Sequence, residues 1–246
     1  MKNYSNTYIF IYASVMVIAV AAILSFVAMT LKPIQKRNIE VEKKMNILSS
    51  VRIQSTPENA EELYDKYIIK SGLVNSNGEF VTEIKDENND IIKAFDVDLK
   101  LELKKPVEER NMPVFFARLD DNKELVVVPV MGKGLWGPIW GYVSFKTDYN
   151  TIYGAVFDHK GETPGLGAEI ANKDFQEQFL GKQIYNNENE FVSVSVIKGG
   201  VKSQTSVAEI NGVDAISGGT ITSKGLDKML KDCLGFYDKY FSKNKN

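Results

Sequence analysis

The first hydrophobic feature of the chain is a run without a formal charge at residues 9–31. At a rise of about 1.5 Å per residue this run forms about 34 Å of helix, enough to cross a hydrocarbon core of about 30 Å. The pattern therefore predicts a helix that spans a membrane once. A cleaved signal peptide is the alternative, with Ala19-Val20-Ala21 as its cleavage site, although this tripeptide lies in the middle of the run.

Shorter patterns predict the elements that follow. Residues 33–50 are polar with spaced apolar positions, which indicates a stalk helix. Ser55-Thr56-Pro57-Glu58 has the form of a capping box and predicts a short helix that starts there and reaches Tyr67. Strand patterns dominate from this point, at residues 114–119, 125–130, 140–145, 152–157 and 191–197. The first two flank Asp120-Asp121-Asn122, so a hairpin is expected there.

The C-terminal segment has helical spacing. Its apolar residues recur at the three- and four-residue intervals of one helix face, which predicts a long helix packed on the rest of the domain. Cys233 lies within this stripe, so we expect a packed thiol rather than a reactive one. The stripe consists of Leu226, Met229, Leu230, Cys233, Leu234, Tyr237, Tyr240 and Phe241.

Composition removes several classes of function. The chain has 30 basic and 32 acidic residues, a net charge of −2, one cysteine and one histidine. This balance offers no basic field for nucleic acid, and a single thiol builds neither a disulfide framework nor a thiolate metal site. The acidic run at residues 86–90 has the oxygen spacing of a calcium loop. Ile91 stands where that loop needs glycine, so a solvated turn is expected and no metal site is predicted.

Three loops rich in glycine carry the candidate chemistry. The tryptophan loop, residues 132–141, holds Trp136 and Trp140, and the histidine loop, residues 159–167, holds the single histidine. The hydroxyl loop, residues 214–223, precedes the last helix, where free N–H groups and the helix dipole favour an anion. The alternatives are a tight hairpin with core tryptophans and a plain helix cap by Thr222 or Ser223.

Within the hydroxyl loop, Asp214 to Thr220 resemble the covalent flavin-attachment motif Asp-x-x-(Ser/Thr)-Gly-Ala-Thr of FMN-bind domains, with Gly219 in place of alanine. The N-terminal anchor, the sequence Leu-Lys-Pro-Ile-Gln at residues 31–35, the tryptophan loop and Glu-Thr-Pro-Gly-Leu-Gly at residues 162–167 extend the resemblance over nearly the whole chain. Together they resemble the C subunits of the Na⁺-translocating NADH:quinone reductases. The G subunit of the Rnf complex shares the same features and remains an alternative.

The resemblance implies a fold and a cofactor. The fold is α+β: an N-terminal segment with a single transmembrane helix (1–31), a stalk and N-terminal extracytoplasmic part (32–110), and an FMN-bind domain (111–246) with a mainly antiparallel sheet flanked by helices. The cofactor is FMN, joined through its phosphate to the hydroxyl of Thr220 by a separate flavin transferase. Asp214 shapes the turn or is recognised by the transferase. The other expected cofactor-binding residues are Ser217, Gly218, Gly219, Glu162, Thr163, Gly165, Leu166, Gly167, Trp136 and Gly137.

The function implied is electron transfer within a complex, with no catalytic residue on this chain alone. Electrons pass from an iron-sulfur centre to this FMN and on to a flavin of the B subunit, and the partners are the A, B, D, E and F subunits and membrane lipid. The alternatives are an Rnf-type flavoprotein subunit and an anchored ligand-binding module without a redox role. The resemblance places the domain in the periplasm of a bacterial inner membrane, whereas Lys32, Lys36 and Arg37 favour the cytoplasm by the positive-inside rule.

Overall fold

The computed structural model describes residues 5–85 and 89–245. Its contacts divide the chain into two compact units, Met1–Lys43 and Lys44–Asn246. Helix α1 (Asn6–Ser50) begins in the first unit, where the apolar side chains of the predicted span are exposed. It is the one helix of the described residues that is long and apolar enough to cross a membrane. The predicted span and stalk are therefore one continuous helix, which runs through Pro33.

Antiparallel strands form the centre of the second unit. In chain order its elements are α2 (Ala60–Tyr67), β1 (Ile68–Asn75), β2 (Phe80–Val81), β3 (Glu83–Lys85), β4 (Ile91–Lys93), α3 (Leu99–Glu102), β5 (Asn111–Arg118), β6 (Glu124–Lys133), β7 (Pro138–Phe145), β8 (Ile152–His159), α4 (Lys173–Glu177), β9 (Ser195–Ile197), β10 (Gly212–Asp214) and α5 (Thr220–Asn244). The main sheet has the order β2-β1-β5-β6-β7-β8, and all its neighbours are antiparallel. Two small sheets pair β3 with β4 and, in parallel, β9 with β10.

The predicted hairpin is confirmed as β5 and β6, and the strands predicted at 140–145 and 152–157 lie within β7 and β8. The prediction of a strand over residues 191–197 is wrong in its first half. Ser193 adopts a left-handed conformation with φ of 64°, which breaks an extended segment, and only Ser195–Ile197 form β9. The prediction also missed β1, which pairs with β5 along its whole length.

The prediction that a helix starts at the capping box of Ser55 is wrong. Helix α2 begins at Ala60, and the hydroxyl of Ser55 has no hydrogen-bond partner. The side chain of Asn59 reaches back instead, and its Oδ1 atom accepts a hydrogen bond of 2.7 Å from the backbone N–H of Thr56. The turn over residues 57–59 therefore precedes the helix. Residues 86–88 of the acidic run lie outside the described residues, so the solvated turn stays a prediction.

Two cores cover the two faces of the main sheet. The smaller core includes Ile47 from the end of α1 and Phe115 from β5, and the larger core lies between the sheet and α5. Every member of the predicted C-terminal stripe is buried in the larger core, so the last helix and its face are confirmed. Cys233 is 2% exposed, and burial raises the pKa of its thiol to about 11, as expected for a packed thiol. The mainly antiparallel α+β fold is thus confirmed.

Candidate functional site

The three glycine-bearing loops meet beside the first turn of α5. They enclose a pocket of about 210 Å³ to which each loop contributes residues. The tryptophan loop is the connection between β6 and β7, and the histidine loop begins at the end of β8, so sheet pairing places both at one end of the sheet. The pocket is lined by Leu135, Glu162, Thr163, Leu166, Gly167, Gly218, Gly219, Thr220, Ile221 and Thr222.

Glu162 links the three loops. Its side chain is buried, and Oε2 accepts a hydrogen bond of 2.5 Å from the hydroxyl of Thr222 in α5. Oε1 accepts a hydrogen bond of 2.9 Å from the backbone N–H of Trp136 in the tryptophan loop. The backbone N–H of Glu162 donates to Nδ1 of His159 at 3.1 Å. The single histidine therefore holds the backbone of the histidine loop.

Burial raises the pKa of the Glu162 carboxyl, but hydrogen bonds from Thr222 and from the backbone of the tryptophan loop outweigh this effect. The net result is a pKa below the ordinary value of 4.5. Hydrogen bonds to the charged form of a carboxyl favour ionisation, which is the cause here. The floor of the site thus contains an ionised carboxylate at neutral pH.

Two glycines leave room for this carboxylate. A Cβ atom on Gly134 would lie 2.5 Å from Oε1 of Glu162, and one on Gly167 would lie 2.6 Å from Oε2 and clash with Oγ1 of Thr222. A side chain at either position would displace the carboxylate or its hydrogen-bond donor, because real Cβ atoms do not come this close to other heavy atoms. Gly134 and Gly167 therefore leave the space in which Glu162 packs.

The hydroxyl loop enters α5 through a tight turn. The backbone N–H of Gly219 donates to the carbonyl of Ile216 at 3.1 Å, and Gly218 has φ of 76° at the third position of this turn. A type II turn needs a positive φ there, which glycine supplies without strain. No side chain caps the helix at Gly219, so the alternative of a cap by Thr222 or Ser223 is wrong. Ser223 instead accepts the N–H of Ile216 through its hydroxyl at 3.2 Å.

A second pocket of about 520 Å³ lies on the other side of the hydroxyl loop, and Thr220 lines both. Its walls are the end of β9, the Gly199-Gly200 turn and the start of α5, and they include Lys198, Ser217 and Lys224. Two lysines, a hydroxyl and an uncapped helix start favour an anionic group at this place. Because the pockets meet at Thr220, a ligand with an anionic end and a flat apolar end can occupy both.

Asp214 builds the wall of the second pocket. Its Oδ1 atom accepts a hydrogen bond of 2.7 Å from the backbone N–H of Val201, and its own N–H donates to the side chain of Gln178. It lies opposite Ile197 in the parallel pair of β9 and β10. The residue therefore shapes the turn that follows β9, which agrees with one of its two expected roles.

The structure brings most of the expected residues together. Trp136, which is 70% exposed, lies beside the first pocket and donates through Nε1 to the hydroxyl of Thr163 at 3.2 Å. Gly137 accepts the N–H of Gly134 within the tryptophan loop. Gly165 donates its N–H to Glu169 and lines neither pocket. The expected residues that line one or both pockets are Glu162, Thr163, Leu166, Gly167, Ser217, Gly218, Gly219 and Thr220.

Trp140 does not join the site. Side chains alternate along β7, and Ile139 packs in the larger core while Tyr142 packs in the smaller one. Trp140 therefore points to the face of the sheet opposite α5. Sequence reasoning also missed pocket residues, of which Leu135 and Ile221 were identifiable as exposed apolar residues next to recognised positions. The others are Thr222, which the sequence suggested only as a helix cap, and, outside the three loops, Val196, Lys198, Gly199, Gly200 and Lys224.

The site coincides with a recognised domain. Residues 134–235 match the family model of the FMN-binding domain, and this range includes residues 134–141 of the tryptophan loop, the whole of the other two loops and most of α5. Over 87% of its length the chain is 33% identical to the C subunit of the Na(+)-translocating NADH-quinone reductase of Haemophilus ducreyi, of which it covers 83%. The chain belongs to this C-subunit family. The protein of the same name from Pseudomonas aeruginosa is 29% identical, with 94% of this chain and 92% of that one covered.

Solved structures of the C subunit support the assignment. The crystal structure of the Parabacteroides distasonis protein is 42% identical with a TM-score of 0.75, and 86% of this chain and 97% of that one are covered. NqrC of Shewanella oneidensis is 29% identical with a TM-score of 0.67 over 86% and 98% of the two chains. The resemblance to the reductase C subunits is thus confirmed, and these relatives are named as reductase subunits rather than as Rnf G subunits.

The residues present fit FMN. The cofactor has an anionic phosphate and a flat, largely apolar ring system. The lysine-bearing pocket suits the phosphate, and Leu135, Leu166 and Ile221, each 42% or more exposed, offer apolar contact in the smaller pocket. FMN as the cofactor agrees with the matched domain.

Proposed function

We propose that this chain is an electron-transfer subunit of a Na⁺-translocating NADH:quinone reductase and carries FMN on the hydroxyl of Thr220. The oxygen of Thr220 forms a bond to the phosphorus of a flavin nucleotide that is activated as a phosphoanhydride with a second nucleotide. The phosphoanhydride bond breaks, the second nucleotide leaves as a nucleoside monophosphate with the bridging oxygen, and the hydroxyl proton is released. A flavin transferase catalyses this step. The position of Thr220 between the two pockets is the observation that carries the proposal.

The pocket residues have separate roles in this proposal. Lys198, Lys224 and the free N–H groups at the start of α5 hold the phosphate. Leu135, Leu166 and Ile221 contact the ring, and Trp136 screens it from water. FMN, when bound, supplies the redox chemistry, and the protein sets its potential through charge, hydrogen bonds and exclusion of water.

The family to which the chain belongs supports a proposed place in the complex. Electrons reach FMN from an iron-sulfur centre and leave to a flavin of the B subunit, and the chain assembles with the A, B, D, E and F subunits. Residues 1–31 contain the N-terminal segment and the helix that crosses the inner membrane, 32–110 form the stalk and N-terminal part, and 111–246 form the cofactor domain in the periplasm. This orientation is contrary to the positive-inside rule, because the basic residues that follow the span would lie in the periplasm. Assembly with partner helices therefore has to fix the orientation.

Attachment is tested by mass. The full chain is expressed with a flavin transferase as the native sequence, Thr220→Ser, Thr220→Ala and, as a matched control, Thr205→Ala. Thr205 is an exposed threonine outside both pockets. We expect the mass of one FMN less one water on every form except Thr220→Ala, and a fluorescent band after denaturing electrophoresis. Covalent FMN on Thr220→Ala overturns the attachment, and its absence from all forms favours the ligand-binding module.

A further inference from the structure

Glu162 carries a buried charge that no cation balances. It is 4% exposed, and none of the ion pairs formed by the described residues includes it. Its two oxygens are held by the hydroxyl of Thr222 and the backbone N–H of Trp136. Neutral dipoles of this kind stabilise the charge locally but leave its field in the surrounding pocket.

The fold keeps this charge at the floor of the pocket that Thr220 lines. Gly134 and Gly167 provide the space for the carboxylate, and both of its oxygens are already occupied by donors from the protein. Glu162 therefore has little hydrogen-bonding capacity left for a ligand. Glu162 can still act on a ligand in the pocket through the electrostatic field of its charge.

We propose that Glu162 has two roles. It is a positioning residue that holds the three loops together, and its negative charge lowers the reduction potential of the FMN. This inference rests on the proposed attachment of FMN to Thr220. Each electron added to the ring adds negative charge, which a carboxylate nearby disfavours. At an effective dielectric constant of about 20 and a separation within about 10 Å, the effect on the electron-transfer equilibrium is on the order of tenfold.

A substitution of Thr222 should shift the potential in the direction opposite to that of Glu162→Gln. Its hydroxyl donates to the carboxylate and weakens the field of that charge at the ring. Thr222→Val keeps the shape of the buried side chain and removes the donor, so the field becomes stronger. Glu162→Gln keeps a similar shape and removes the charge. An electrostatic role therefore predicts shifts of opposite direction for the two variants, whereas loosening of the loops predicts shifts of one direction.

The experiment measures the midpoint potential of the flavin by spectroelectrochemical titration of the full chain in detergent. Alkaline buffer is used so that two-electron reduction brings only one proton to the ring and leaves it with one net negative charge. We expect Glu162→Gln to raise the midpoint potential by about 30 mV, which corresponds to a tenfold change in the equilibrium of this two-electron couple. Thr222→Val should lower the potential by a smaller amount. Glu169→Gln is the control, because Glu169 is on the same segment but lines neither pocket, and it should shift the potential little.

Intact mass is measured first, so the two proposals fail separately. A native chain without FMN overturns the proposed function. The role of Glu162 is overturned if all forms carry FMN and have equal potentials. It is also overturned if Glu162→Gln and Thr222→Val shift the potential in the same direction. If Glu162→Gln loses the flavin, Thr222→Val decides alone, since an unchanged or raised potential in that variant contradicts the inference.

Discussion

The Oδ1 atom of Asp214 accepts a hydrogen bond of 2.7 Å from the backbone N–H of Val201. This contact joins the first residue of the attachment motif to the turn after β9, which forms one wall of the pocket that contains Thr220. The aspartate of the motif therefore acts on the site through the backbone of a neighbouring segment.

This contact predicts different results for two substitutions. Asp214→Asn retains an oxygen acceptor and should keep most of the flavin incorporation. Asp214→Ala removes the acceptor, which costs about 1 kcal/mol and loosens the pocket wall, so incorporation should fall several-fold. Quantified fluorescence of the denatured band measures both. Equal loss in the two variants would contradict the structural role and indicate that the transferase recognises the negative charge.

Ionisation of Glu162 makes the stability of the domain depend on pH. Its folded-state pKa lies below the ordinary value of 4.5, so its contribution to stability is present above that value. The contribution is lost as the pH falls through the folded-state pKa. We expect Glu162→Gln to lower the free energy of unfolding by about 1–3 kcal/mol at neutral pH, and the difference to shrink in acid. Urea unfolding of both forms from neutral to acidic pH measures it, and a difference independent of pH would refute the assignment.

The contact between α5 and β6 has no room for a methyl group at Gly225. A Cβ atom there would clash with the carbonyl oxygen of Lys133 and lie 3.4 Å from Cα of Gly134. Gly225→Ala should therefore lower the free energy of unfolding by about 1–3 kcal/mol, although alanine favours helix. Gly161→Ala is the matched control, since a Cβ atom there meets nothing within 4 Å, and it should change stability by less than about 0.5 kcal/mol. If Gly225→Ala and Gly161→Ala unfold at the same urea concentration, the prediction is wrong, because α5 then moves to make room for the methyl group.

The spacing of apolar residues predicted two kinds of element correctly: strands that pair with their neighbour in the sequence, and helices with a continuous apolar face. The stripe from Leu226 to Phe241 and the hairpin around Asp120 are of this kind, and both are confirmed. The failures have local physical causes. Ser193 takes a left-handed backbone conformation inside an alternating pattern, and Asn59 provides a turn that delays the start of α2. Neither is visible in a pattern of apolar and polar residues.

The candidate site was predictable where a motif marks it. Thr220, the turn at Gly218 and the histidine loop follow from glycine and hydroxyl positions. The link between Glu162 and Thr222 spans 60 positions, and no spacing rule connects them. Lys198 reaches the site only because β9 and β10 pair in parallel, which is a long-range contact between two strands of three residues each. Such contacts depend on the assembled fold.

Thr220 is the first residue of a helix that continues for 25 residues, and Tyr237 and Phe241 near its far end are fully buried. In the proposed attachment, the cofactor is therefore bonded to a helix that packs in the larger core rather than to a mobile loop. Electron tunnelling falls off steeply with distance, so the gap to the next redox centre is set by how the whole domain docks. Rates of transfer should then report on rigid-body approach between subunits, with little contribution from local motion at the attachment point.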